Sequence, residues 1–574
     1  MSATIGSCLT KTVPQDKQAD TISPMPTKPI PTLMLTLGAA SADYAAALEK
    51  AASDKLVERL WARDHTLWAP APDEISNRLG WLDIMARMET ELPALRDFAS
   101  DIKDAGIQDV LLLGMGGSSL APEVFSKVFG PAPGFPNLHV LDSTDPQAVN
   151  NYADSLDPAG TLYIVSTKSG GTVETFSFFK FFYNLAKGKL GDQVGQHFVA
   201  ITDPASKLAS QAEEHKFRRT FLNDPDIGGR YSALSFFGLV PAALLGLDLD
   251  ELLSRAEAMC SVCQNQDVYT NQGVQLGLAL ASLAKAGRDK LSFRIPERIA
   301  SFGDWVEQLI AESTGKSGTG ILPVVHEPPA PAESYGDDRA FVAVEVQDED
   351  RPGELQPLVD AGEPIIYLRW PDRYALGAHF FLWEFATAVA GYGLGINPFD
   401  QPNVESAKVL ARKLAEEYSN SGKLPKCNAQ PLDPAALEAF LADAPSDAYI
   451  SLQAYQPPTE TTTAALQKLR GKLLRYRMAT TLGYGPRFLH STGQLHKGDA
   501  GKGLFVQLLS ATNEDVDIPD EIGSSASEIS FGALKAVQAL GDAQALRDAG
   551  RQVISFELGS QPTTEIENLA RLLP

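Results

Sequence analysis

A chain of 574 residues with 44% hydrophobic and 21% charged side chains has the balance of a soluble globular protein and is too long for one core, so it divides into at least two domains. Its formal net charge of -23 repels phosphate backbones and anionic lipid, which argues against nucleic acid or a membrane surface as partner. No stretch reaches the roughly 20 apolar residues of a membrane span, and the Cys260 and Cys263 pair sits in a helical run with no metal-knuckle context.

Residues 1–40 read as a flexible leader, because Pro14, Pro24, Pro26, Pro29 and Pro31 stand among small polar residues without periodic apolar positions. The leader also lacks the apolar core of a secretory signal, so the expected compartment is the cytoplasm. Residues 41–100 carry helical spacing in Leu48, Leu56, Leu60, Ile84, Met88, Leu92 and Leu95. From residue 101 a first α/β domain is expected, to about 285. Its short apolar runs at 110–113, 139–141, 163–165 and 197–201 alternate with helices over about 172–187 and 233–245. A second α/β domain is expected over 286–574, with strands at 291–295, 341–346 and 365–368 and helices at 297–312 and 376–392. Within it, 327–338 reads as a loop and 419–446 as a polar linker with a short helix. Late strands at 449–452, 504–508 and 553–556, with helices at 534–546 and 565–572, carry that domain to its end.

Two strand-to-helix loops carry anion-binding chemistry. Gly114-Met115-Gly116-Gly117-Ser118-Ser119 presents bare amides at a helix start, which suits a nucleotide, a phosphosugar or a plain tight turn. A dinucleotide fingerprint would want a third glycine at Ser119, although Asp142 could imitate the ribose-binding acid. Ser166-Thr167-Lys168-Ser169-Gly170-Gly171-Thr172 is a phosphate cradle: hydroxyls and amides donate to phosphate oxygens and the lysine adds charge.

These loops, together with Gly228-Gly229-Arg230-Tyr231-Ser232, Ala311-Glu312-Ser313-Thr314-Gly315-Lys316 and Asn397-Pro398-Phe399-Asp400-Gln401-Pro402-Asn403-Val404-Glu405, resemble blocks of the glucose-6-phosphate isomerase family. The resemblance implies two α/β/α sandwich sugar isomerase domains with parallel sheets and a helical N-terminal segment. It also implies a place in glycolysis and gluconeogenesis, with no metal and no redox cofactor. Glu312 matches the base that moves a proton between C1 and C2 through a cis-enediol, and Arg230 matches the cation that stabilises the enediolate. The apolar stripe Ile299, Phe302, Val306, Leu309 and Ile310 puts Glu312 at a helix C-terminus, where the negative pole would raise its pKa, and Gly315 reads as the helix stop. Gly116, Gly117 and Ser118 would line the sugar, Ser166, Thr167, Lys168, Ser169 and Thr172 would hold the phosphate, and Gln401 would touch substrate.

Lys408 matches the lysine that assists ring opening together with a histidine. The block Phe488-Leu489-His490-Ser491-Thr492-Gly493-Gln494-Leu495-His496-Lys497-Gly498 offers His490, which aligns better, and His496. In the family the histidine block comes before the Asn-Pro-Phe-Asp-Gln block; here it follows. That order, with Leu67-Trp68-Ala69, resembles the branch fused to transaldolase, although no transaldolase portion is visible. The resemblance further implies a homodimer in which the ring-opening histidine crosses from the partner subunit. Two readings compete. A noncatalytic phosphosugar-binding regulator has no use for a positioned Glu312, and a nucleotide-dependent oxidoreductase would rest on the Gly114 loop alone.

Overall fold

A computed structural model describes residues 31–347, 355–424, 428–512 and 514–573, without the side chains of 405–407. The expected leader therefore lies outside the described residues as far as residue 30. Its remainder is ordered: strand β1 (Thr32–Thr36) is followed by a short turn of helix at Gly38–Ala40. The alternation of Leu33 and Leu35 with their neighbours packs one face of β1 against the core, a period-two pattern that the upstream prolines obscure in the sequence. The helical segment follows as Ser41–Ser53, Leu56–Trp61 and Ile84–Asp104.

The first sheet contains β2 (Asp109–Gly114), β3 (Asn137–Leu141), β4 (Thr161–Ser166), β5 (Phe198–Thr202) and β6 (Arg219–Leu222). Its order is β3-β2-β4-β5-β6 and all its pairings are parallel. Every residue of β4 and β5 is buried, as expected when helices cover both faces. The chain leaves β2 toward β3 and returns on the other side to β4, so the order reverses between β2 and β4. At that point Gly114 stands level with Ser166, and the two loops leave the sheet side by side. Ligands bind in such crevices.

The strands expected as one series over 286–574 divide between two sheets. One has β7 (Lys290–Arg294), β8 (Leu322–Val324), β9 (Arg339–Val346) and β10 (Ile365–Trp370) in the order β1-β10-β9-β7-β8, with β1 antiparallel at the edge. The other has β11 (Gln430–Pro431), β12 (Tyr449–Tyr455), β13 (Ala479–Tyr484), β14 (Gly503–Ser510) and β17 (Gln552–Leu558), all parallel in the order β11-β17-β14-β12-β13. A short antiparallel pair, β15 (Asp517–Ile518) and β16 (Ile529–Ser530), interrupts the last crossover. The helix Ala375–Leu394 is buried from Ala375 to Gly391 and packs on Gln272–Lys285 and Leu249–Gln264, so its all-round apolar character is that of an internal helix.

The second and third sheets are fastened by a buried polar clip. Arg339 at the start of β9 gives Nη1 and Nη2 to the two Glu327 carboxylate oxygens, each at 2.9 Å. Thr480 of β13 donates its backbone N–H and its hydroxyl to Glu327 Oε1, both at 3.0 Å. Arg470 reaches the Val325 carbonyl at 2.8 Å and Thr480 Oγ1 at 2.9 Å.

Candidate active site

Where the three sheets meet, the two loops are joined to each other and to the segments that face them. Ser166 donates to the Ser118 carbonyl at 3.0 Å, so this expected phosphate hydroxyl is spent on joining the loops. Gly116 adopts φ +54°, and a Cβ there would lie 2.7 Å from the His490 carbonyl oxygen and 2.8 Å from Gln308 Nε2. A Cβ on Gly117 would lie 2.1 Å from the Gly229 carbonyl oxygen. Both glycines are therefore demanded by close backbone approach. In the second loop Thr167 and Thr172 share a hydroxyl contact of 3.0 Å and Ser169 accepts from the Gly171 N–H at 3.3 Å. Lys168 is half-buried; its ammonium bonds the Asp203 carboxylate and the Pro225 carbonyl, the latter at 2.8 Å, so its charge is answered within the protein.

Glu312 lies on the last turn of the helix Phe302–Thr314 and is buried. The stripe of Phe302, Val306, Leu309 and Ile310 packs into the core and leaves Gln308 and Glu312, one turn apart, facing the loops. Burial raises the Glu312 carboxyl above its ordinary value against the pull of Arg230, His490, Lys408 and Lys316. The direction matches expectation, but the cause is desolvation rather than the helix pole. Gly315 ends the helix at φ -78°, outside the left-handed region of a glycine stop. Its glycine is needed because a Cβ would lie 2.3 Å from Leu495 Cα.

Arg230 is buried opposite Glu312, with Nη1 3.5 Å from Oε2. Its other donors are committed: Nε to Ser313 Oγ at 2.8 Å, and Nη2 to the carbonyls of Pro398 at 2.7 Å and Asp400 at 3.0 Å. Gln401 is exposed at the rim, with Oε1 3.5 Å from Arg230 Nη1. The guanidinium is thus held as a fixed cation beside the carboxylate, without closing onto it.

The two histidines separate clearly. His490 Nε2 sits 2.9 Å from Glu174 Oε1, and Gln308 Nε2 donates to the His490 carbonyl at 2.7 Å. Burial pushes the Glu174 carboxyl up, but His490, its hydrogen bond and Lys408 hold it below the ordinary value. Gln538 also donates to Glu174 Oε1 at 2.6 Å and accepts from Thr144 at 2.9 Å. His496 is buried among Tyr449, Phe488 and Phe505, and burial drives its pKa far down, so it is a neutral core ring. Lys408 is exposed on the helix Val404–Ser421, and its charge pulls down both Glu312 and Glu174.

Four side chains of the site escape the sequence reading. Glu174 stands two residues beyond the phosphate loop and looks like an ordinary first-turn acid, and Gln308 is marked only by its place one turn before Glu312. Lys316 donates to the Asp400 carbonyl at 2.6 Å and carboxylate at 2.7 Å; burial and Arg230 push its ammonium down to about 7. Gln494 bridges the Gly315 carbonyl at 2.9 Å and Asn403 Oδ1 at 2.8 Å. Among the described residues no group of three or more His, Cys, Asp or Glu side chains could hold a metal ion, and no helix is long and apolar enough to cross a membrane.

The family described as phosphoglucose isomerase matches residues 81–325. That span takes in Arg230 and Glu312 and stops short of Gln401, Lys408 and His490. The glucose-6-phosphate isomerase of Rubrobacter xylanophilus is 30% identical over 380 residues, covering 56% of this chain and 86% of its own. A solved structure of a hypothetical protein from Thermus thermophilus gives a TM-score of 0.54 at 27% identity, over 67% of this chain and 99% of its own. A glucose-6-phosphate isomerase from Chlamydia trachomatis gives a TM-score of 0.57 over 72% of this chain and 92% of its own; at 18% identity that likeness is one of fold.

Proposed function

We propose that this chain, which belongs to the phosphoglucose isomerase family, is an aldose-ketose isomerase that interconverts glucose 6-phosphate and fructose 6-phosphate in glycolysis and gluconeogenesis. The observation that carries this reading is Glu312 itself. It is a buried carboxyl held above its usual range, with a fixed guanidinium 3.5 Å away and a histidine joined to its helix through Gln308.

The loop bearing Thr167, Lys168, Ser169 and Thr172 would take the phosphate with hydroxyls and amides, and Ser118 would line the sugar. Gly116 and Gly117 let the sugar approach the backbone, and Gln401 closes the rim. His490, oriented by Glu174 through Nε2, moves the proton that opens the ring, with Lys408 assisting. Glu312 then removes the proton from C2 of the aldose. The electron pair becomes the C1–C2 double bond of a cis-enediol, and the negative charge gathering on oxygen is met by Arg230. While the proton of the C2 hydroxyl passes to the oxygen on C1, Glu312 delivers to C1 the proton it took, or one exchanged with solvent at the enediol stage; the ketose forms, the carboxylate is restored and no electron enters or leaves. The reading keeps the homodimer implied by the resemblance and the cytoplasm expected from the leader sequence.

The test is turnover of fructose 6-phosphate by the purified chain in chelator-containing buffer, with glucose 6-phosphate read through a coupled dehydrogenase. Steady turnover is expected. Silence, with the sugar phosphate still raising the melting temperature, would favour a binding protein.

A further inference from the structure

Lys316 stands four residues beyond Glu312 and two past the end of the helix Phe302–Thr314. Its backbone is fixed by a closed turn. The Lys316 N–H donates to the Thr319 carbonyl at 3.0 Å and the Thr319 N–H returns to the Lys316 carbonyl at 3.1 Å, with Ser317 and Gly318 at φ +56° and +75° between them. Lys316 is 2% exposed, and its ammonium gives two bonds to one residue, the Asp400 carbonyl at 2.6 Å and the Asp400 carboxylate at 2.7 Å.

The Asp400 carbonyl is shared. It also accepts from Arg230 Nη2 at 3.0 Å, while the same Nη2 reaches the Pro398 carbonyl at 2.7 Å and Nε donates to Ser313 Oγ at 2.8 Å. These bonds leave Nη1 aimed at Glu312 Oε2, 3.5 Å away. The end of one helix thus holds the guanidinium twice, directly through Ser313 and at one remove through Lys316 and the Asp400 carbonyl. A lysine is a costly residue to bury there, because desolvation and the neighbouring Arg230 push its ammonium down to about 7. Its partner carboxylate is 32% exposed, so water can answer it without Lys316. A buried ion with a wetted partner returns little stability, which directs attention to what the ammonium does for Arg230.

We infer that Lys316 is a positioning residue of the reaction: through the Asp400 carbonyl it fixes the orientation in which Arg230 meets the enediolate beside Glu312. This rests on the isomerase reading. Lys316 acts through Arg230, whose charge is needed where negative charge gathers in the transition state, so its loss falls on kcat more than on substrate binding. The charged groups that face Lys316 are Arg230, Asp400 and Glu312. Removing it therefore also takes away a cation that pulls the Glu312 carboxyl down.

The test is steady-state turnover of fructose 6-phosphate by Lys316→Met beside wild type, read through the coupled dehydrogenase across a range of pH. The expected result is a fall in kcat of roughly 10- to 100-fold, the scale of a misplaced catalytic group, with KM and melting temperature near wild type. The acid limb of kcat/KM should move up, since the Glu312 carboxyl loses a cation that holds it down. Lys316→Gln, which returns a donor without the charge, should recover part of kcat and leave the limb raised. Wild-type kcat in Lys316→Met would overturn the inference. A rise in KM at unchanged kcat would also overturn it, because Lys316 would then bind substrate in its ground state. So would a loss of turnover in both variants that only tracks their unfolded fraction. Silence of the wild-type chain would strike the isomerase reading, whereas wild-type turnover with an unaffected Lys316→Met would strike only the positioning role.

Discussion

Two buried glutamates face arginines in this protein, and their chemistry runs in opposite directions. Glu327 receives both Arg339 Nη groups at 2.9 Å and two bonds from Thr480 at 3.0 Å. Burial pushes its carboxyl up, yet the charges of Arg339 and Arg470 and these bonds hold it below the ordinary value. Glu312 is buried to a similar degree, but Arg230 stays 3.5 Å away and spends its shorter bonds on Ser313, Pro398 and Asp400. Burial then wins and the carboxyl rises. A Glu–Arg pair is structural when every lone pair is answered; it is poised for proton transfer when the cation is held close and its donors are directed elsewhere.

That contrast can be broken by substitution. Glu312→Gln should cost roughly 10² to 10⁴ in kcat, or more, while melting and phosphosugar binding stay near wild type; near-normal turnover would remove Glu312 as the base. Glu327→Gln should do the reverse, costing about 3–5 kcal/mol in chemical denaturation because Arg339 and Arg470 are left buried with less counter-charge, with kcat of the folded fraction preserved. If Glu327→Gln abolished turnover without loss of stability, the two carboxylates would have been assigned the wrong way round.

Arg230→Lys removes the fork that reaches two carbonyls at once, and the loss in kcat should be about 10² to 10³, comparable to losing one oriented donor at an oxyanion. His490→Asn should slow ring-closed substrate more than the open-chain form. By comparison, His496→Leu should change stability by no more than about 1 kcal/mol, since it exchanges a neutral buried ring for an apolar side chain. The smallest effect is in pH. Glu312 must be ionised to accept a proton, so the acid limb of kcat/KM should fall with a midpoint above the ordinary glutamate value. Arg230 favours the carboxylate, so Arg230→Gln should move that limb further up; a downward move would contradict the assigned pull.

The sequence announces the two loops because their chemistry is local: glycines, hydroxyls and a lysine follow short apolar runs directly. The same holds for the Glu312 helix, whose stripe orients the whole element. Sheet membership is not local. Nothing in the apolar runs at 449–455 and 503–510 tells whether they extend the sheet of β9 and β10 or begin another, because that depends on hydrogen-bond partners far away in sequence. The strand Ala479–Tyr484 and the helix Glu460–Leu473 carry no strong apolar pattern of their own, so the clip at Thr480 is not legible in the sequence. Glu174 was equally hidden, since its meaning comes from a histidine that lies far along the chain. His490 and His496 share one segment, and only the folded packing shows that the second is enclosed by Tyr449, Phe488 and Phe505 while the first meets a carboxylate.

The most direct measurement follows hydrogen. Fructose 6-phosphate is incubated in deuterated water with wild type and with Glu312→Gln, and the carbon-bound hydrogens of recovered sugar phosphate are read by NMR. A carboxylate that takes and returns a proton predicts solvent deuterium at C2 of glucose 6-phosphate in the wild type, and the loss of both turnover and label in the variant. Wild-type turnover with no solvent label, together with undiminished turnover in Glu312→Gln, would contradict it.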